Sequence, residues 1–125
     1  MKKIKFGIIG GGLMGREAAS AFARWFVLKD FPVLAELVAV CDLDKNILEW
    51  YRQIGSVNQL TTDYRELLNN KDVDVVYVAL PHHLHQIVYT DVLASGKDLL
   101  AEKPFGIDLD SARKIKAAAD KSGRL

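Results

Sequence analysis

Short, dense apolar runs alternate along this chain with longer stretches whose apolar residues recur every three or four positions. That is the pattern of strands alternating with helices. The first run is Ile4 to Ile9. The stretch after it, Leu13 to Leu28, places Ala18, Ala19, Phe22, Trp25 and Phe26 on one side of a helix. Asp30-Phe31-Pro32 closes that stretch, because proline disfavours helix in the residue before it. Glu36 to Asp42 is a near-continuous apolar run, as expected of a parallel strand covered on both faces. Lys45 to Gln53 reads as a helix with Ile47, Leu48, Tyr51 and Ile54 inward and Gly55 as its stop. Val57 to Leu60 reads as a short edge strand. Asp63 and Glu66 have the spacing of a capping box ahead of a short helix carrying Leu67 and Leu68.

Val73 to Leu80 is the most apolar segment, stopped by Pro81. The helix after it, Leu84 to Ala94, is expected to bury Leu84, Ile87, Val88 and Leu93, with Gly96 as its C-terminal stop. Asp98 to Ala101 is the fifth strand. Asp108 then caps a helix over Leu109 to Lys121, with Gly123 beyond it. Strands and helices in this alternation make βαβ units and a parallel sheet. The predicted fold is α/β, a doubly wound parallel sheet in order 3-2-1-4-5 with helices on both faces. Gly123-Arg124-Leu125 reads as a turn entering another strand, so residues 1–125 are expected to be one domain of a longer protein, cut near its boundary or one strand short of it.

At 125 residues there is room for one domain with a real core. A formal charge of +1 gives no reason to invoke nucleic acid or an anionic membrane. The single cysteine, Cys41, cannot form an internal disulfide and suits a reducing compartment. Its expected role is that of a small buried hydrophobe at a strand end. Met1-Lys2-Lys3 before an apolar run superficially resembles a signal peptide, but Lys5, five glycines and Arg16-Glu17 interrupt it. No uncharged apolar run approaches the ~18 residues of a membrane span. The expected location is the cytoplasm.

The chemistry begins where the first strand meets the first helix, at Gly10-x-Gly12-x-x-Gly15. In such a setting the first glycine allows a sharp reversal, the second lets a pyrophosphate approach the backbone, and the third lets helix and strand pack closely. The helix N-terminus then faces an anion, aided by its dipole. Strand-to-helix context raises the motif from a common triplet to a dinucleotide-binding fingerprint.

Asp42 ends the second strand, 27 residues beyond Gly15. A carboxylate there accepts hydrogen bonds from the adenosine ribose hydroxyls. The alternative is a helix cap, since either Asp42 or Asp44 precedes the next helix. Leu43, rather than a basic residue, follows Asp42. Pro81-His82-His83-Leu84-His85 follows the fourth strand at the edge where open α/β sheets bind ligands. Three histidines in four residues suggest a metal, but no second ligand cluster stands at metal-binding spacing. His82 and His83 fit a solvated helix start, and His85 fits either that role or the pocket wall. Glu102-Lys103-Pro104 follows the fifth strand at the same edge, where a lysine reaches a hydroxylated substrate or the nicotinamide ribose.

Together these segments, with Asp63-Tyr-Arg-Glu-Leu-Leu68, Pro81-x-x-x-His85 and Gly96-Lys-x-x-x-x-Glu-Lys-Pro104 in this order, closely resemble the N-terminal domain of the Gfo/Idh/MocA oxidoreductases. The resemblance covers essentially the whole chain. It implies a nicotinamide-dependent dehydrogenase or reductase of a sugar, cyclitol or related polyol, homo-oligomeric when full length. It places Lys103 near the substrate and nicotinamide as a catalytic candidate and His85 beside it. The cofactor-binding candidates are Gly10, Gly12, Leu13, Met14, Gly15, Asp42, Leu80, Pro81, Glu102 and Lys103, with no metal. Asp42 implies NAD in preference to NADP. The resemblance also raises the expectation of a cis Lys103–Pro104 bond above the usual ~5–6%. His82 departs from the asparagine often found in the family, which alters only a helix cap. The family's second domain, which supplies the general base and most of the substrate pocket, is absent, so this chain alone is expected to be inactive. A non-catalytic dinucleotide sensor is the competing reading, and a sensor has no need of Lys103. A methyltransferase on a similar sheet is disfavoured by the glycine spacing and the Glu-Lys-Pro segment.

Overall fold

The computed structural model describes residues 1–24 and 27–125. Among the described residues, five strands form one parallel sheet: β1 (Lys2–Ile9), β2 (Val33–Cys41), β3 (Gln59–Thr61), β4 (Val75–Val78) and β5 (Asp98–Ala101). Their spatial order is β3-β2-β1-β4-β5, as the alternation predicts. The α-helices described between and beside them are α1 (Leu13–Phe22), α2 (Lys45–Tyr51), α3 (Tyr64–Leu68), α4 (His85–Ala94) and α5 (Leu109–Ser122).

Side chains alternate across a strand, so each central strand feeds two cores. Ile8, Val40 and Tyr77 face α1 and α2, joined by Ala19, Leu48 and Tyr51. Ile9, Val76 and Val78 face the other way, joined by Leu67 of α3, Val88 and Val92 of α4 and Ile115 of α5. The β1–β2 register slips between Phe6 and Gly7. The extra residue puts consecutive Val38 and Ala39 into the same core, which strict alternation would forbid. The slip aligns the strand ends: Gly10 N–H donates to Cys41 O and Ala79 N–H donates to Ile9 O, both at 2.9 Å. Three strands thereby end level at the edge that carries the motifs.

Several expected boundaries move. The first helix stops at Phe22 rather than Leu28, with Ala23 as its cap. Phe22 stacks on Phe6 at 4.2 Å, while Trp25 and Phe26 lie outside the described residues. The second strand starts earlier, at Val33, and ends at Cys41, leaving Asp42 just past it. The α2 helix ends at Tyr51 with Arg52 in right-handed geometry, so Gly55 is not its stop. Gly96 and Gly123, with φ of 82° and 65°, do follow helices in the left-handed region that glycine favours. The fourth strand is shorter than the apolar run that announced it.

The expected capping box also changes. Asp63 does cap α3, accepting from Arg65 N–H at 2.9 Å. Glu66, however, accepts from the Thr61 hydroxyl, and Thr61 Oγ1 accepts from Asp63 N–H at 3.1 Å. The reciprocal bond is thus relayed through the strand residue. Before α4 a 3-10 turn, His82–Leu84, shifts the helix start to His85. The buried stripe becomes His85, Val88, Tyr89, Val92 and Leu93, and Ile87, expected inside, is 57% exposed. Asp108 caps α5 as expected, accepting from Ser111 N–H at 2.7 Å.

Candidate dinucleotide site

The glycine turn shows what each glycine is for. Gly10 has φ of 97°, and a Cβ there would stand 2.3 Å from Ala79 O. A Cβ on Gly15 would stand 2.3 Å from Gly10 O, so α1 packs directly on the turn. Gly12, by contrast, would bring its Cβ within 4 Å of nothing. The turn is therefore closed from below at Gly10 and Gly15 and open above Gly12. Gly12 is also the N-cap of α1, with no side-chain cap and no acidic residue in the first turn. Such a helix end suits an anion. Leu13 and Met14, the intervening candidates, are exposed at that end.

Two side chains hold the turn from outside the motif. Asp42 accepts from Gly11 N–H at 2.8 Å through Oδ2 and from Asp44 N–H at 2.9 Å through Oδ1. Tyr51 Oη donates to Gly11 O at 2.9 Å, and burial pushes that phenol up to about 12. Asp44 caps α2 by accepting from Asn46 N–H at 2.8 Å. The two readings of Asp42 are thereby separated: the cap is Asp44, and Asp42 braces the glycine turn. A carboxylate has room for about four hydrogen bonds, so Asp42 keeps acceptor capacity toward a ligand.

A cavity of ≈ 510 Å³ opens along this edge, lined by Gly10, Gly12, Asp42, Leu43, Leu80, Pro81 and Leu84 among others. Its size is in the range of small-molecule and cofactor sites, and its walls are mostly apolar with a few polar groups. A second cavity of ≈ 230 Å³ lies between α1 and α2, where Arg16 sits 5.9 Å over the Trp50 ring.

Glu102, Lys103 and Pro104 stand at the same edge but not on the wall of the larger cavity. The Lys103–Pro104 bond is cis and the Lys103 side chain is exposed. Glu102 accepts from Tyr77 Oη at 2.5 Å through its carboxylate and from Tyr89 Oη at 2.8 Å through its carbonyl. Burial, then the bond to Glu102, pushes the Tyr77 phenol up. His82 and His83 are exposed. His85 is 0% exposed and does not line the cavity, so it fits neither the solvated helix start nor the pocket wall, the two places the sequence left open for it. Its buried ring is taken up by backbone carbonyls of the two adjoining loops.

The family model for an oxidoreductase family with an NAD-binding Rossmann fold matches residues 4–125. The chain belongs to this family, the Gfo/Idh/MocA oxidoreductases. Trans-1,2-dihydrobenzene-1,2-diol dehydrogenase of Mus musculus is 30% identical over 121 residues, which is 96% of this chain and 34% of that protein. Among solved structures, an NAD-binding oxidoreductase from Klebsiella pneumoniae superposes with a TM-score of 0.88 at 32% identity, covering 98% of this chain and 33% of its own. Levoglucosan dehydrogenase in complex with NADH and L-sorbose superposes with a TM-score of 0.90 at 25% identity, covering 100% of this chain and 34% of its own. The chain spans about a third of the length of the relatives it matches.

Within this member of the family, the structure adds residues that the motifs do not contain. Tyr51, Tyr77 and Tyr89 all aim hydroxyls at site backbone or carboxylate from the two cores. Their spacing marks Tyr51 as a core residue, and nothing local marks its hydroxyl as a brace. For α4 a usable signal exists: His85, Val88, Tyr89, Val92 and Leu93 follow the i, i+3, i+4, i+7, i+8 pattern of a buried helix face once histidine is admitted to it. Lys97, inside the Gly96-to-Pro104 motif, lies away from the site. Its buried ammonium donates to Asn70 O and Val73 O at 2.7 Å each, and burial pushes its pKa down.

Proposed function

We propose that this chain is the cofactor-binding domain of a dehydrogenase acting on a sugar, cyclitol or related diol, with NAD preferred over NADP. The observation that carries the reading is Asp42, fixed at the cavity rim by Gly11 N–H and Asp44 N–H beside an unfilled space above Gly12. The residues fit a dinucleotide: Gly10 to Gly15 hold the pyrophosphate, Asp42 holds the adenosine ribose, and Leu80 and Pro81 line the path toward the nicotinamide. When bound, NAD supplies the hydride acceptor. A 2′-phosphate would meet the Asp42 carboxylate, and Leu43 brings no cation to offset the repulsion.

Lys103 presents an ammonium at the end of β5, where it orients a substrate hydroxyl and opposes negative charge. The acceptor for the hydroxyl proton comes from outside this chain. A base must reach hydrogen-bond distance of the proton it takes; His85 is sealed beneath the loop, and His82 and His83 sit on the exposed turn. Named activities of relatives, on levoglucosan and on a dihydrodiol, support a polyhydroxylated substrate class. The chain alone is then a binding module without turnover.

The test is calorimetric titration of NAD and NADP into the wild-type protein and Asp42→Ala. NAD is expected to bind more tightly to the wild type. Loss of the charge-assisted ribose bonds, about 1.5–3 kcal/mol, weakens NAD by about 10- to 150-fold. NADP loses less, so the difference narrows. Equal wild-type affinities for the two cofactors refute the assignment of Asp42.

A further inference from the structure

A neutral imidazole has one N–H donor and one lone pair. His85 is fully buried, and both of its nitrogens face backbone carbonyls: Nδ1 is 2.7 Å from Pro104 O and Nε2 is 3.1 Å from Leu80 O. Neither carbonyl can donate. A neutral ring would therefore set one nitrogen lone pair against a carbonyl oxygen inside the protein, an uncompensated buried contact. Turning the ring over would replace both nitrogens by carbons and satisfy neither carbonyl. Two donated protons satisfy both.

We infer that His85 is a positioning residue that donates from both ring nitrogens, stapling the Glu102–Pro104 segment to the turn after β4. The inference rests on the reading of Lys103 as the lysine that meets nicotinamide and substrate. Tyr89, one turn along α4, stacks on the His85 ring at 4.6 Å and donates to Glu102 O. Tyr77 holds the Glu102 carboxylate, whose second oxygen accepts from Lys103 N–H at 3.2 Å. The backbone is thus gripped at Glu102 and Pro104, on either side of Lys103, while the lysine side chain stays exposed. Removing the staple frees that segment without touching the glycine turn or Asp42.

Other titratable groups surround the ring. His82 lies 5.5 Å away on the 3-10 turn, Tyr89 stacks below, and Tyr77 and Glu102 complete the network beyond Tyr89. Loss of either ring contact frees one end of the staple, so the loop carrying Lys103 loosens.

Two measurements test this. Nitrogen-resolved NMR of the wild-type protein reads the protonation of each His85 ring nitrogen between about pH 6 and 8. Titrations with NADH and with ADP-ribose compare wild type, His85→Phe and His85→Gln. Both ring nitrogens are expected to be protonated. His85→Phe, which keeps a stacking ring, weakens NADH about tenfold and ADP-ribose by less than about twofold. His85→Gln, with one donating group, falls between. A general packing defect would weaken both ligands together, and that result overturns the inference. So does a wild-type ring with one unprotonated nitrogen throughout the range, or NADH affinity unchanged in both variants. If His85→Phe does not fold, His85→Gln and the wild-type spectrum still decide. Wild-type protein that binds neither ligand refutes the cofactor reading instead, while the spectrum decides the staple.

Discussion

Alanine at Gly12 and alanine at Gly15 perturb one turn in opposite ways. Gly12 has φ of −66°, open to any residue, and its Cβ would meet nothing within 4 Å. Alanine is a poorer N-cap than glycine by up to about 1 kcal/mol. A less flexible unfolded chain returns about 0.4–1 kcal/mol. Stability should therefore stay within about 0.5 kcal/mol of wild type. The methyl group instead occupies the space through which a pyrophosphate reaches the backbone. Loss of one charge-assisted bond, about 1.5–3 kcal/mol, weakens NADH by about 10- to 150-fold.

Gly15→Ala does the reverse. Its Cβ would lie 2.3 Å from Gly10 O and 2.9 Å from Tyr51 Oη. A backbone oxygen cannot swing aside, so α1 must lift from the turn. Alanine gains up to about 1 kcal/mol in helix propensity. Overpacking costs about 1–3 kcal/mol, and the disturbed Tyr51–Gly11 bond about 1 kcal/mol more. The net is a loss of about 1–3 kcal/mol. Urea unfolding followed by circular dichroism gives the stabilities, and NADH fluorescence titration gives the affinities. Gly12→Ala binding NADH within about twofold of wild type would refute the geometry of the turn. Gly15→Ala as stable as wild type would do the same.

Tyr51→Phe removes the donor to Gly11 O and leaves that carbonyl short of a partner, costing about 1–2 kcal/mol in urea unfolding and weakening NADH; a neutral effect on both measurements would show that the hydroxyl braces nothing. The pH dependence of stability follows from groups that burial holds protonated. Cys41 is pushed from 9.0 to about 12, and Tyr51 and Tyr89 from 10.0 to about 12. The unfolded chain releases these protons first, so their contribution is whole below about pH 9 and is lost as pH rises through about 9 to 12. Denaturation midpoints measured at steps across that range should fall, and Cys41→Ala should delay the onset toward about pH 10. A midpoint that rises with pH overturns the signs.

The sequence by itself determined the parallel sheet, its order and the glycine turn, because these rest on local rules. Apolar runs of strand length separated by helical periodicity leave few ways to wind a chain. A glycine required by a positive φ or by a 2.3 Å approach is written into the residue type. The Asp108 cap and the positions of Asp42 and Lys103 at one edge of the sheet were legible for the same reason: each stands next to the end of an element. What only the tertiary structure decided is where side chains from different elements meet. The 3-10 turn before α4 set the phase of that helix, sending Ile87 outward and His85 beneath two loops, and no local rule measures such a shift. The braces from Tyr51, Tyr77 and Tyr89 depend on contacts separated by 40, 25 and 13 positions in the chain. A tyrosine in an apolar pattern reads as packing, and its hydroxyl gains a role only when the sheet brings a carbonyl or a carboxylate to it.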